Sequence, residues 1–319
     1  MEARFALRSQ GPARVPKKPK PSFHPSSETL RLETTATILD GRALARELTA
    51  DLTRRAEALR AAGNVPRLVV EMVGEDESSL AYARSLLKLG GKIGIEVNLE
   101  QMPADAGEDR VVERLHALSK DRTIHGVLLH QPLPAHLRID RIAPHVPESK
   151  DVDATHPANQ GRLAYGLDPL FIPATPQAVM LLLEASPAWP PRGKRACVVG
   201  RSVVVGLPVS LLLLAADATV TTCHIATADL PRHTRDAEIL VVATGVPGLV
   251  TADMVAPGAT VIDVGTTVVD GVLRGDVAFD EVARVAGAIT PVPGGVGPLT
   301  NVALMRNAIA AAERQLGEK

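Results

Sequence analysis

GKRACVVGRSVVVGLPVSLLLL, residues 193–214, reads as a buried strand, a tight turn and the opening of a helix. Gly200 ends the apolar run where the backbone must turn without a Cβ clash, and Gly206 lets strand and helix approach closely. A helix N-terminus placed after such a turn offers free N–H groups and the positive end of its dipole, which suits a diphosphate. The spacing is not G-x-G-x-x-G, so as a bare pattern it leaves a nucleotide site and a plain structural turn both open.

Outward from this stretch the same grammar continues. C-terminal to it, TVTTC (219–223), Ile239–Ala243 and Thr260–Val264 read as strands, with helix predicted at Leu207–Ala216. A last helix, Leu299–Leu316, follows the glycine-rich PVPGGVGP of 291–298. N-terminal to it, a helix spans about Pro176–Ala185, after a polar connection over 151–177 rich in Pro, Gly, Asn and Asp. Before that connection, Asp40 is placed to cap a helix from Gly41 to about Ala62, with Leu44, Leu48, Leu52 and Leu59 at helical spacing. Strands at Leu68–Val73, Glu96–Leu99 and Val127–His130 alternate with helices at about Ser78–Lys92 and Glu108–Ser119. Strand and helix in strict alternation predict parallel βαβ units, here in two sets.

Composition agrees. Hydrophobic residues make up 45% of 319 and charged residues 22%, which is globular, while aromatics at 2% leave an aliphatic core suited to a helix-covered parallel sheet. A net charge of −1 argues against a broad nucleic-acid surface. Every apolar run is too short or too interrupted to span a membrane. Cys197 and Cys223 both lie in apolar strands and read as small buried residues in a reducing compartment; no metal site is expected. Residues 1–35 stand apart, basic and studded with prolines at 12, 16, 19, 21 and 25. They read as a disordered, solvated tail or a start codon placed too early, with organelle targeting a further reading and cytoplasmic residence the expectation.

Four motifs in order, KDVDATHPANQGRL (150–163), FIPATP (171–176), GRSVVVGLP (200–208) and PVPGGVGPLT (291–300), resemble the bifunctional methylenetetrahydrofolate dehydrogenase/cyclohydrolases of the FolD family. The resemblance begins at TILDGRALA (37–45) and runs to the last helix. It implies a two-domain α/β fold: a folate-binding catalytic domain over 36–177, completed by the helix at 299–319, and a Rossmann-like NADP-binding domain over 178–298. It implies tetrahydrofolate one-carbon substrates, hydride transfer to NAD(P)⁺, hydrolysis of the methenyl product to 10-formyltetrahydrofolate, and a homodimer paired through the cofactor domains. The strand TVTTCH ends at His224 and Ile225 without the carboxylate that normally holds the NAD ribose. With Arg201 in the turn, this favours NADP.

Residue by residue, the resemblance assigns Tyr82 to the folate ring, Asp153 to the pterin, and Pro293, Gly294, Gly295, Val296 and Gly297 to a loop over the substrate. Gly200, Arg201 and Ser202, with Ile225 and Thr266, fall to the cofactor. Leu129, His130 and Gln131 fall at the strand end beside the substrate, and Tyr82, His130 and Asp153 are the candidate catalytic side chains. The chain departs from the family at the chemistry. The family lysine four residues after the tyrosine falls on Leu86, in a frame fixed by Gly94 and Ile95. Lys88, six residues from Tyr82 at about 100° each, lies on another helix face. The strand end V-Q-L-P-L reads L-H-Q-P-L, with His130 in the glutamine's place, and D-V-G-I-N reads D-V-G-T-T, with Thr266 and Thr267.

A leucine cannot manage a proton, so oxidation is expected to outlast hydrolysis. Three other readings remain: a related iminium substrate, a folate- and NADP-binding pseudoenzyme, and a hydroxy-acid dehydrogenase. The last leaves PVPGGVGP and KDVDATHP unexplained.

Overall fold

The computed structural model describes residues 36–317; the basic segment over 1–35, and the expectations placed on it, lie outside the described residues. The chain begins with β1 (Thr37–Ile38), α1 (Gly41–Ala61), β2 (Arg67–Val73), α2 (Glu77–Ile93), β3 (Glu96–Met102), α3 (Glu108–Lys120) and β4 (Gly126–Leu129). Then come α4 (Ile139–Ile142), α5 (Pro157–Ala164), α6 (Ala174–Glu184), β5 (Arg195–Val199), α7 (Gly206–Ala215), β6 (Thr219–Cys223), α8 (Leu230–Thr234), β7 (Ile239–Val242) and β8 (Thr260–Asp263). The hairpin β9 (Thr267–Val269) and β10 (Val272–Arg274) precedes α9 (Phe279–Val282), β11 (Ala288–Ile289) and α10 (Val296–Gly317).

Two parallel sheets result, as the alternation predicted. The first is β3-β2-β4; the second is β1-β11-β8-β7-β5-β6. The division expected at residue 177 is crossed at its start: β1 does not join the first sheet but pairs with β11, Thr37 opposite Ala288. Two residues suffice because α1 begins at once, its entry set by Asp40, whose carboxylate accepts from the N–H groups of Arg42 and Ala43 at 2.8 and 3.2 Å. Helix α10 crosses in the other direction. It lies after the second sheet in sequence, yet packs on α1 and α6 and against α2, β2 and β4. Its buried alanines 303, 308, 311 and 312 permit that close approach.

Within the polar connection over 151–177 the structure places α5. Asp151 makes that helix possible. Buried itself, it accepts from the backbone N–H groups of Thr155 and His156 at 3.0 and 2.8 Å and from the Asn159 side chain at 2.8 Å. A turn-forming aspartate that organises a helix five residues later has no periodicity to announce it. The β9–β10 hairpin was also missed, since Asp270 and Gly271 carry its turn in six exposed or half-exposed residues.

Strand β2 is central in the first sheet and buried on both faces. Leu68 and Val70 belong to the main core with α1 and α10; Val69 and Val73 pack with Val111, Leu115 and Leu118 of α3. Glu71 lies on that second face with 0% exposure and neither carboxylate oxygen hydrogen-bonded. Burial pushes its carboxyl up to about 7, reinforced by the Glu100 charge and opposed by Arg114. The ordinary value is 4.5, so the folded state holds this proton more tightly than the unfolded chain. Its stabilising share is therefore complete below about pH 4.5 and is lost as pH rises through about 7. Replacing Glu71 with Leu is expected to stabilise the protein by about 2–4 kcal/mol at pH 8 and by far less at pH 5. Urea unfolding at the two pH values checks this; an equal change at both refutes the assignment.

Candidate active site

The site is built where α2, β4, α6 and the entry to α10 meet. Tyr82, half-buried on α2, stacks its ring on that of His130 with centroids 5.2 Å apart and planes 14° from parallel. His130 follows the last residue of β4 and its backbone N–H is held by the Glu71 carbonyl at 2.9 Å, which extends the sheet pairing by one residue. Strand alternation then decides which side chains reach Tyr82. Leu128 packs in the main core, Leu129 turns to the opposite face among Val111 and Leu115, and His130 returns to the side of Tyr82. The expectation that Leu129 contacts substrate is therefore corrected: its side chain is 2% exposed in the α3 cluster. Gln131 is half-buried before a cis-proline, and it is His130 whose ring stacks on Tyr82.

His130 is 8% exposed and its Nε2 is buried without a hydrogen-bond partner. Burial lowers the imidazole's pKa from its ordinary value, with the charge of Asp76 acting the other way. Burial raises that of the Tyr82 phenol, as does the charge of nearby Asp153, so Tyr82 stays protonated at neutral pH. Leu86, one turn along α2 from Tyr82, is 0% exposed and part of the main core. It is apolar filling rather than an open wall.

The four residues KDVD divide their labour. Lys150 gives its ammonium protons to the carbonyls of Leu118, Ser119 and Asp121 at 2.7–3.0 Å, closing the C-terminal end of α3. Asp151 organises α5, and Val152 is buried in the core. Only Asp153 faces Tyr82. One oxygen accepts from the Ala174 N–H at 2.9 Å, at the start of α6, and burial pushes its carboxyl up to about 7. Asn307 of α10 stitches KDVD to FIPATP by donating to the carbonyls of Val152 and Ile172 at 2.7 and 2.8 Å.

The 291–297 loop is seated by a backbone crossing. A Cβ on Gly41 would lie 1.8 Å from the Gly295 carbonyl oxygen, so α1 and the loop meet main chain to main chain. Gly294 adopts φ +122° beside the Arg42 guanidinium, and Val296 starts α10. One turn later Asn301 donates to Ser85 Oγ at 3.0 Å, and Ser85 in turn donates to the Tyr82 carbonyl at 2.6 Å. This bridge from loop to α2 was not foreseen. Asn301 stands just beyond the PVPGGVGPLT motif, and its neighbour in that motif was the only available signal.

The cofactor candidates lie at the carboxyl ends of β5, β6 and β8, in a sheet whose strand order reverses between β5 and β7. Gly200 has φ +121° and a Cβ there would come within 2.2 Å of the Ala243 carbonyl oxygen; one on Gly206 would strike Gly200 O at 2.0 Å. The ten-residue α7 begins at Gly206 with no side-chain cap; the Leu207 N–H donates to the Ser202 carbonyl at 3.0 Å and Pro208 carries none, so of these first residues only Gly206 offers its N–H to an anion. Arg201 and Ser202 are exposed in the turn, and Ile225 is fully exposed beyond β6. Two buried aspartates hold the opposite wall. Asp263 accepts from the N–H groups of Gly265, Asp276 and Val277; Asp276 accepts from those of Thr244 and Gly245. Thr266 is exposed at that wall's edge. A cradle of glycines, an uncapped helix start and an unpaired arginine fit a dinucleotide phosphate chain. Among the described residues no cluster of metal ligands occurs.

Known proteins share this arrangement. The family model for the tetrahydrofolate dehydrogenase/cyclohydrolase catalytic domain matches residues 39–153, and that for its NAD(P)-binding domain matches 173–316. The bifunctional protein FolD of Bordetella avium is 49% identical over 283 residues, covering 88% of this chain and 99% of the relative; that of Polynucleobacter asymbioticus is 47% identical over 280. Among solved structures, the FolD dehydrogenase/cyclohydrolase of Campylobacter jejuni superposes with a TM-score of 0.85 at 38% identity, covering 88% of this chain and 99% of that one. The Trypanosoma brucei enzyme, complexed with NADP and an inhibitor, superposes with a TM-score of 0.84 at 36% identity, over 88% and 98%. With both domains matched in order and nearly half the residues shared, this chain belongs to the tetrahydrofolate dehydrogenase/cyclohydrolase family.

Proposed function

We propose that this chain oxidises 5,10-methylenetetrahydrofolate to the 5,10-methenyl form by hydride transfer to NADP⁺, and hydrolyses the product to 10-formyltetrahydrofolate more slowly. The observation that carries the reading is Tyr82, stacked on His130 and within range of the Asp153 charge, with Leu86 apolar and buried one turn away. NADP⁺ at the β5–β7 crevice supplies the hydride acceptor. The chain's own part in oxidation is orientation: Tyr82 lies along the folate ring, Asp153 accepts from pterin N–H groups, and the 291–297 loop closes over the substrate. Hydrolysis needs more, because water must lose a proton as it attacks. Leu86 can hold none.

Arg201 meets the 2′-phosphate of NADP, and no carboxylate follows β6 to hold a bare ribose. NADP⁺ is expected to bind at least about tenfold more tightly than NAD⁺, a single charge-assisted contact being worth over 1 kcal/mol. Titration of both with the purified chain decides it, and a preference for NAD⁺ reverses the assignment. The enzyme works in the cytoplasm as a homodimer joined through the cofactor domains. In support, β6 is a sheet edge, and Val203 and Leu214 beside it are 52% and 60% exposed. Sedimentation at the mass of one chain refutes the dimer.

With methylenetetrahydrofolate and NADP⁺ under anaerobic conditions, NADPH and methenyltetrahydrofolate should accumulate together at first. Leu86→Lys should shorten that lag several-fold while lowering stability by about 2–4 kcal/mol, since the ammonium enters a site filled by leucine. Following NADPH and methenyl absorbance separately tests this. Methenyl that never accumulates in the wild type overturns the weakened-hydrolysis reading.

A further inference from the structure

We infer that His130 is the proton carrier of the hydrolysis step, doing through its imidazole what Leu86 cannot. The inference rests on the proposed folate reaction and adds a residue to it. Hydrolysis needs one group beside Tyr82 able to take and return a proton near neutral pH, and most of the described residues are accounted for. Lys88, Lys92 and Lys120 are exposed, while Lys150 and Lys194 donate to backbone carbonyls elsewhere. The Tyr82 phenol is held protonated. The Nδ1 atoms of His125 and His156 accept from the backbone N–H groups of Arg67 and Ala158. Asp153 is engaged by the Ala174 N–H at one oxygen, and the proposed function gives it the pterin.

His130 differs from all of these. Its ring stacks on that of Tyr82 at 5.2 Å and 14°, which fixes the imidazole against the tyrosine that the proposed function sets along the folate. Its Nε2 is buried and has no hydrogen-bond partner among the described residues, an expensive condition for a polar atom unless a ligand or water uses it. Strand pairing fixes where it points, because the Glu71 carbonyl holds its backbone N–H.

The step balances as follows. Water oxygen adds to the cationic carbon between N5 and N10 of methenyltetrahydrofolate, and Nε2 takes the proton released, leaving a neutral hydroxyl adduct and an imidazolium. The bond from that carbon to N5 then breaks with its electron pair passing to N5, which receives the proton from the imidazolium. The hydroxyl proton leaves to solvent as the formyl C=O forms. One water is consumed and one proton released, with no oxidation.

The test measures two reactions on the full chain: loss of supplied 5,10-methenyltetrahydrofolate, corrected for the buffer rate, and NADPH formation from the methylene substrate. In His130→Gln both rates fall through the lost stack, but the ratio of hydrolysis to oxidation falls about a hundredfold, the lower end of the range for general base catalysis. In His130→Ala, added imidazole restores hydrolysis several-fold without raising oxidation, which also serves if the glutamine variant folds poorly. Equal loss of both rates, no rescue, or wild-type hydrolysis no faster than buffer overturns the inference. Absence of NADPH formation overturns the proposed oxidation instead, and the hydrolysis ratio to the wild type is then read alone.

Discussion

A crossing of two backbones without side chains between them organises the whole molecule. Strand β1 pairs with β11 in the cofactor sheet, α1 starts two residues later, and the loop that follows β11 returns to lie on Gly41. The same few residues thus belong to one sheet and one helix layer at once. Any Cβ at Gly41 sits inside the Gly295 carbonyl, so contact at this distance is open to glycine alone. Because α10 leaves directly from the loop and packs on α1 and α6, the crossing also aims the Asn301–Ser85 bridge at the Tyr82 carbonyl. Substrate loop and stacking tyrosine are held in one frame.

Around that frame, buried carboxylates serve as local scaffolding. Asp151, Asp263 and Asp276 each gather two or more backbone N–H groups, which offsets part of the desolvation of a buried anion. They fix the turns on which the site depends: the entry to α5 and the wall opposite the cofactor turn. Glu71 and Asp153 are treated differently. Neither Glu71 oxygen is hydrogen-bonded and Asp153 accepts only from the Ala174 N–H, and burial pushes both carboxyls up to about 7. At Asp153 the unspent acceptor capacity faces the site, where N–H donors of a ligand can use it. At Glu71 it faces α3, and the physical gain from keeping an acid there is not evident.

The pairing of an apolar Leu86 with an imidazole at 130 separates two demands usually met together. Hydride transfer asks for geometry, which in the proposed function comes from the Tyr82 stack, the Asp153 acceptor and the glycine loop. Hydrolysis asks for a titrating group. An imidazole shielded from water, with its pKa lowered by burial, is a base at neutral pH and a weaker one than an exposed histidine.

Much of this was legible in the sequence. Alternating apolar strands and amphipathic helices point to parallel sheets, since each crossover between parallel strands needs a helix. Strands β5 and β6 are read to the residue, because uninterrupted apolar or β-branched runs end at Gly200 and at His224. The resemblance marked Tyr82, His130, Asp153 and the two glycine turns as candidates, and strand parity separated His130 from Gln131. That same parity should have sent Leu129 away. What no window of sequence carries is contact between distant segments. The partnership of Thr37 with Ala288, the seating of Gly295 on Gly41, and the bridge from Asn301 to Ser85 join residues more than two hundred positions apart. Nor does a sequence say whether a leucine fills a core or lines a cleft, or whether an imidazole nitrogen finds a partner. Those outcomes depend on which surfaces pack together once hydrophobic burial closes the chain, and only the tertiary structure decides them.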